Sequence, residues 1–252
     1  MLAEERYHAG IREPTARLAG IVAGADETIR IPTCPDWTLR QLATHVGRGQ
    51  RWAAEIVRRR SAEFVPFRDV PDGRIPDDPA ARPGWLNAGS ALLTATLAGA
   101  GPEPVWTFAG MRPPSFWARR MAHETAVHVA DAELATGRPA SIPADLAADG
   151  IDEWLMLLAE DPDGSAPLAA AGQTLHLHAT DGGLDGAGEW LVRSAGPGIT
   201  VEPGHARADV ALRGPAASLL LVLLRRLPPA TPGVELLGDA GILTHWLEHS
   251  PY

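Results

Sequence analysis

Lysine is absent from this sequence, and all 22 basic residues are arginines. A Walker phosphate loop, a Schiff-base enzyme and a catalytic lysine base all require an amine side chain, so the chain cannot use those mechanisms. The formal net charge of -9 argues against a nucleic-acid surface, because phosphate binding requires concentrated positive charge. We therefore expect no nucleic-acid partner.

Cysteine and long apolar runs are also scarce. Cys34 is the single cysteine, which excludes an intrachain disulfide, and no Cys/His cluster predicts a zinc finger. The longest apolar run, SLLLVLL at 218–224, is far shorter than the ~20 residues of a membrane span. The start of the chain lacks the pattern of a signal peptide. We expect a cytoplasmic protein that does not bind membranes.

Helical patterns fill the first 160 residues, between loops rich in proline and glycine. The first helix is predicted over 3–23, with Pro14 expected to break or kink it. Thr38 and Gln41 form a capping-box pattern that predicts the start of a second helix. Further helices are predicted over 86–97, 115–136 and 144–160.

A stretch rich in proline, glycine and alanine over 161–172 reads as a linker, and the pattern changes beyond it. The segments QTLHLHAT, EWLVRS, GITVEP, ADVALRG and VELLG predict short strands, and SLLLVLL and AGILTHWLEH predict helices. The predicted fold class is α+β, with a helical domain over 1–160 and a small α+β domain over 170–252.

The segment FWARRMAHETAVHVADAE carries the most specific pattern for chemistry. His123 and His128 are five residues apart and point in different directions, which excludes the metalloprotease arrangement of two histidines four apart. Glu124 and His128 are four apart and share one helix face. They could supply two ligands to one metal ion.

An ionised glutamate in an apolar stripe must be paired or bound to a cation. His45 lies toward the apolar side of its own helix and is the best candidate for a third ligand. A glutamate and two histidines meeting inside a bundle form an open metal site. The alternatives are a Glu–His ion pair within the helix and a buried core histidine, and spacing does not choose among them.

The segments IPTCPDWTLRQLATHVGRGQRWA and WARRMAHETAVHVADAE, with the C-terminal motifs LHATDGG, EWLVR, ADVALRGPAASLLLVLLRRLP and VELLGD, resemble the mycothiol-dependent maleylpyruvate isomerase family. The resemblance covers nearly the whole chain. It implies a DinB-like four-helix bundle followed by a sterol-carrier-like domain. It also implies that His45, Glu124 and His128 bind a divalent metal, usually zinc, and that the source is actinobacterial, as the GC-rich composition suggests.

The resemblance implies that mycothiol is a thiol cosubstrate for an electrophilic small molecule. A metal with three protein ligands keeps an open position, and a thiol bound there is deprotonated. The thiolate could then add to a conjugated substrate, leading to cis–trans isomerisation or to thiol transfer. We expect no catalytic residue beyond the metal ligands. Substrate or cofactor contacts are expected from four neighbours, with ordinary packing as the alternative: Arg48, Trp52, Trp117 and Arg120.

The other candidates carry weaker signals. The pairs His176/His178 and His245/His249 are expected on the solvent-exposed surface. Cys34 is expected to be a small buried loop residue without an activating base. The alternative function is a non-catalytic metal-containing protein that binds a small ligand or a protein partner. We expect a monomer or a homodimer.

Overall fold

The computed structural model describes residues 1–160, 167–184, 186–196 and 198–250, and the chain forms two compact units that divide between Ser141 and Ile142. Four long helices form the first unit: α1 (Glu4–Gly24), α2 (Leu39–Arg59), α3 (Arg82–Ala98) and α4 (Ser115–Ala135). Helices α1 and α2 each pack against both α3 and α4. The predicted helical first half is confirmed.

Two short antiparallel hairpins connect these helices, in segments that the sequence pattern predicts as loops. The first precedes α2 and pairs β1 (Arg30–Ile31) with β2 (Cys34–Thr38). The second precedes α4 and pairs β3 (Val105–Thr107) with β4 (Gly110–Arg112). Both hairpins bring residues to the candidate site described below: β1–β2 brings Trp37 to its histidines, and the turn between β3 and β4 brings Phe108 to its cavity.

The capping-box prediction for α2 is confirmed. The Gln41 amide donates to Thr38 Oγ1 at 3.3 Å, and the Thr38 amide donates to Gln41 Oε1 at 2.8 Å. Reciprocal capping satisfies two amide donors that the first helical turn leaves without partners. This fixes the start of α2, and with it the direction of the His45 side chain two turns later.

Pro14 does not break α1, which runs without interruption from Glu4 to Gly24. A proline inside a helix costs roughly 3 kcal/mol, since it removes one hydrogen bond and crowds the preceding turn. The buried residues Ile11 and Leu18 lie on either side of Pro14, and α1 packs along α3 and α4. Burial of this apolar face offsets the cost of the proline.

The second unit contains helix α5 (Ala144–Glu160), which the sequence pattern assigns to the first domain. Helix α5 packs against helix α6 (Ala216–Leu223) and strand β7 (Gly198–Pro203) of the second unit. The division of the chain therefore lies before the expected linker. Part of that linker, 161–166, lies outside the described residues. The remaining elements are β5 (Thr174–Ala179), β6 (Glu189–Ala195), β7 (Gly198–Pro203), β8 (Val210–Gly214), α6 (Ala216–Leu223), β9 (Glu235–Gly238) and α7 (Ala240–His249).

The five strands form one sheet in the order β7-β6-β5-β8-β9, in which β5 and β8 are parallel and the other pairs are antiparallel. Alternation along β5 places Leu175 and Leu177 on one face and His176 and His178 on the other. The leucine face is fully buried. The α+β fold class and the predicted strands are confirmed. Among the helices of the described ranges, none is long and apolar enough to span a membrane.

Candidate metal centre

Helices α2 and α4 bring His45, Glu124 and His128 together. Glu124 and His128 are one turn apart on α4 and share a face, and His45 approaches them from α2. One ligand atom from each residue lies within 4.8 Å of the other two. His123 is outside this group, and its buried ring packs edge-on against Tyr7 of α1 at 6.2 Å.

The distances within this group are suited to a small cation. His45 Nε2 lies 3.0 Å from Glu124 Oε1, and His128 Nε2 lies 3.3 Å from the same oxygen. Tetrahedral ligands at about 2.1 Å from zinc are separated by roughly 3.4 Å. Two imidazole nitrogens and a carboxylate oxygen are also a donor set that zinc accepts. The three residues therefore fit a divalent metal ion.

Asp131 provides a second carboxylate behind His128, which the sequence analysis did not identify. His128 Nδ1 lies 3.0 Å from Asp131 Oδ2, and the Thr33 hydroxyl donates to Asp131 Oδ1 at 2.6 Å. A carboxylate at one ring nitrogen directs the other nitrogen toward a metal and raises its basicity. The i, i+3 spacing of His128 and Asp131 on one helix was a usable signal. The hydrogen bond from Thr33, which is far from Asp131 in sequence, had no comparable sequence signal.

The charges around Glu124 and His128 determine their protonation in the metal-free protein. Burial raises the pKa of Glu124, but hydrogen bonds from His128 and His45 and the charge of Arg120 outweigh it and hold that pKa well below its usual range. Burial lowers the pKa of His128, but hydrogen bonds to Asp131 and Glu124 raise it to about 9. Glu124 is therefore ionised at neutral pH, while His128 carries a proton that a metal must displace.

The hairpin β1–β2 covers the centre with two further side chains. The indole of Trp37 lies 4.8 Å from the His45 ring and 6.0 Å from the His128 ring, measured between centroids. Cys34 also lies close, because its sulfur, a His128 nitrogen and an Asp131 oxygen are mutually within 4.8 Å. The structure thus places an imidazole and a carboxylate near Cys34, where the sequence pattern indicated no such neighbour. Sequence spacing could not show it, since β2 and α4 meet only in the folded chain.

A cavity of about 170 Å³ opens beside the centre, and both His45 and Glu124 line it. Its wall also contains all four residues for which substrate or cofactor contacts are predicted, together with two exposed phenylalanines. These six residues are Arg48, Trp52, Trp117, Arg120, Phe67 and Phe108. The structure thus places the predicted binding residues around one space that adjoins two of the candidate metal ligands.

The cavity combines an aromatic wall with two arginines. The Trp52 and Trp117 rings meet edge-on at 5.2 Å, and the Trp52 indole donates to the Val65 carbonyl at 2.7 Å. The Arg48 guanidinium lies 5.0 Å from the centre of the Phe67 ring. Arg120 donates to Glu124 Oε2 at 2.9 Å, on the oxygen that the histidines do not contact. Such a cavity can hold an anionic, conjugated small molecule.

One of the four histidines that the sequence pattern places on the surface of the second unit differs from expectation. His176 is buried, whereas the sequence pattern predicts a solvent-exposed side chain. His176, Glu189 and His205 form a separate group whose ligand atoms lie within 4.8 Å of one another. The rings of His245 and His249 stack on α7 with their centroids 3.8 Å apart.

Comparisons with known proteins match the chain over most of its length. The family model described as the mycothiol maleylpyruvate isomerase N-terminal domain matches residues 9–133, and the MDMPI C-terminal domain matches residues 145–245. The crystal structure of the mycothiol-dependent maleylpyruvate isomerase aligns with a TM-score of 0.63 at 17% identity, covering 95% of each chain. A histidine-to-alanine mutant of that isomerase aligns with a TM-score of 0.58, again at 17% identity and 95% coverage. No curated protein matches the chain.

Proposed function

Because the chain belongs to the mycothiol-dependent maleylpyruvate isomerase family, we propose that it is a metal-dependent enzyme that uses mycothiol to isomerise a small conjugated electrophile of the maleylpyruvate type. One observation carries this proposal. His45 and Glu124 belong both to the candidate metal centre and to the wall of a cavity with two arginines and an aromatic surface. A metal site that serves only to stabilise a fold is usually closed by its protein ligands.

His45, Glu124 and His128 would hold the metal, which is expected to be zinc. When bound, the ion lowers the pKa of a thiol that reaches it, so that a thiolate is available at neutral pH. Asp131 orients His128 through Nδ1, and Thr33 holds Asp131. This leaves the Nε2 atom of His128 directed toward Glu124.

Arg48 and Arg120 would bind the carboxylates of the substrate. Both line the cavity, and guanidinium groups pair with carboxylates in a defined geometry. The rings of Trp52 and Trp117 would pack against the planar conjugated chain and exclude water. At about 170 Å³ the cavity suits a small organic acid, since pockets for drug-sized ligands span roughly 300–1,000 Å³.

The proposed reaction begins when the thiolate sulfur adds to the β-carbon of the conjugated double bond. A C–S bond forms, and the π electron pair moves through the former double bond to the carbonyl oxygen, giving an enolate. The former double bond is now single and can rotate. The electron pair then returns, the C–S bond breaks, and the thiolate leaves with the trans isomer formed and no net consumption of thiol. If the enolate takes a proton instead, the product keeps the sulfur, which is thiol transfer.

The direct test is turnover of maleylpyruvate by the purified full-length protein, with and without mycothiol and with and without a chelator. We expect the trans isomer only when both metal and thiol are present, and loss of turnover in Glu124→Gln. A matched control is His123→Ala, which lies on the same helix but outside the metal group. A sulfur-containing product would establish thiol transfer. Metal binding without turnover of any conjugated electrophile would favour the non-catalytic binding protein.

A further inference from the structure

The second unit carries a cluster of histidines around one carboxylate, far in sequence from the centre described above. His176 and His178 lie on one face of β5, and Glu189 begins the neighbouring strand β6, paired with His178 across the ladder. His205 lies just beyond the end of β7. Two chain segments, β5 and the residues after β7, therefore bring three imidazoles to Glu189 on β6.

The contacts in this cluster all converge on the carboxylate. Glu189 Oε2 lies 3.2 Å from His176 Nε2 and 2.7 Å from His205 Nδ1. Glu189 Oε1 lies 3.8 Å from His178 Nε2. The ring centroids of the three histidines are 5.1 to 6.0 Å apart.

We propose that His176, Glu189 and His205 form a second metal site, which binds zinc or another divalent transition-metal ion. Their ligand atoms lie within 4.8 Å of one another. The nitrogen-to-oxygen distances at Oε2, 3.2 Å to His176 and 2.7 Å to His205, are shorter than the roughly 3.4 Å that separates tetrahedral zinc ligands, so the exposed His205 side chain would shift outward to admit an ion. His178 lies 3.8 Å from the other carboxylate oxygen and is the third imidazole of the cluster.

The donor set determines the class of ion. Imidazole nitrogens with one carboxylate suit zinc, nickel or copper, whereas magnesium and calcium prefer oxygen ligands throughout. Two arginines of the described strands lie on the same face of the sheet, and each has its own acidic partner: Arg213 pairs with Glu235 at 3.1 Å, and Arg193 lies 3.8 Å from Glu202. A divalent ion can neutralise Glu189 while using the imidazoles as neutral ligands.

The burial of the three ligands suggests what the ion would do. The His176 side chain is 4% exposed, whereas that of His205 is 73% exposed. An ion could therefore enter from solvent on the His205 side. Once bound, it would tie the segment after β7 to strands β5 and β6, which would stabilise one edge of the sheet.

The test is the number of Co²⁺ ions bound per chain, by elemental analysis and visible absorption, for full-length protein without a histidine tag. We expect two ions in the wild type, one in His128→Ala, one in His205→Ala and none when both changes are combined. Because His205 is exposed, His205→Ala should fold normally. The ion counts of the two single variants also distinguish the two sites. If the first centre binds no metal, the ion at His205 should still be present in the wild type and absent in His205→Ala.

Glu189→Gln and Glu202→Gln provide a matched pair on adjacent strands, since Glu202 on β7 is exposed and lies across from Leu191. Glu189→Gln should lose the same ion as His205→Ala. Its metal affinity at this site should fall by more than the ~10–100-fold that removal of an outer-shell partner causes. Glu202→Gln should bind like the wild type. The proposal is overturned if the combined His128→Ala/His205→Ala protein retains an ion, or if His205→Ala or Glu189→Gln binds as many ions as the wild type.

Discussion

His128 and Asp131 face each other across a single turn of α4, with Nδ1 of the histidine 3.0 Å from Oδ2 of the aspartate. Asp131 is fully buried, and the Thr33 hydroxyl holds its other oxygen. The carboxylate thus occupies one side of the imidazole, and the opposite nitrogen points to Glu124. This pair links the interior of the bundle to the candidate metal centre.

The first prediction concerns Asp131. Replacement by asparagine keeps the shape but removes the charge that orients His128 and makes it a stronger donor. We expect Asp131→Asn to weaken zinc binding by roughly 10–100-fold. The measurement is a competition titration of metal-free protein against a chromophoric chelator.

Glu133→Gln is the control for Asp131→Asn, because Glu133 is another buried acid of α4 but pairs with Arg17 and the Ser141 amide. It should lower thermal stability and leave zinc affinity unchanged. Equal zinc affinity in Asp131→Asn and the wild type would show that Asp131 does not act on the metal through His128.

The second prediction concerns pH. In the metal-free protein the pKa of His128 is raised to about 9, so metal binding at pH 7 must release its proton. Apparent zinc affinity should therefore rise about tenfold per pH unit below 9 and level off above it, if one proton is displaced. Calorimetry in buffers of different ionisation enthalpy measures the proton release. Release of no proton at pH 7 would contradict the assigned charge state.

The same raised pKa affects the stability of the metal-free protein in the opposite direction. A histidine whose folded pKa exceeds its unfolded value of about 6.5 contributes stability that is full below 6.5 and is lost as pH rises through about 9. The thermal midpoint of the metal-free protein should therefore fall between pH 7 and pH 9.5. In His128→Ala this part of the pH dependence should disappear.

The phase of α4 was predictable from sequence, because the 3.6-residue period places Glu124 and His128 together and separates His123 from them. The start of α2 was likewise predictable, from the capping-box pattern of Thr38 and Gln41. The approach of Thr33, Cys34 and Trp37 to the centre was not predictable, since it depends on how the β1–β2 hairpin lies against α4. The grouping of His176 with His205 similarly depends on strand register and on the path of a loop.

The third prediction compares His45, whose side chain points toward the candidate metal centre, with His123, whose side chain points away from it. His45→Ala should sharply reduce the zinc content at the first centre, because it removes one of three ligands. His123→Ala should leave that content intact, because its ring packs against Tyr7. Elemental analysis in the His205→Ala background removes any contribution from the second site. Similar losses from both changes would mean that the assigned helix phase is incorrect.

The fourth prediction concerns Arg48, which lines the cavity. In the described part of the chain, Arg48 forms no hydrogen bond or ion pair with the three candidate metal ligands. If it binds a substrate carboxylate, Arg48→Gln should raise KM for maleylpyruvate by about tenfold or more, since a hydrogen bond to a charged group contributes roughly 1.5–3 kcal/mol. Zinc content should not change. Arg58→Gln, at an exposed arginine near the end of α2 that pairs with Glu55, is the control. An unchanged KM in Arg48→Gln would remove Arg48 from the proposed binding site.

The last prediction concerns the source of the thiolate. Cys34 lies beside His128 and Asp131, which makes it the one thiol of the chain that could compete with mycothiol as nucleophile. The cavity, however, is lined by His45 and Glu124, and Cys34 is not among its lining residues. A substrate held by Arg48 and Arg120 would therefore meet an added thiol and not Cys34. We expect Cys34→Ser to keep turnover that depends on both metal and mycothiol, with zinc content equal to that of the wild type. Loss of turnover in Cys34→Ser with zinc retained, or turnover by the wild type without any added thiol, would assign the nucleophile to Cys34 instead.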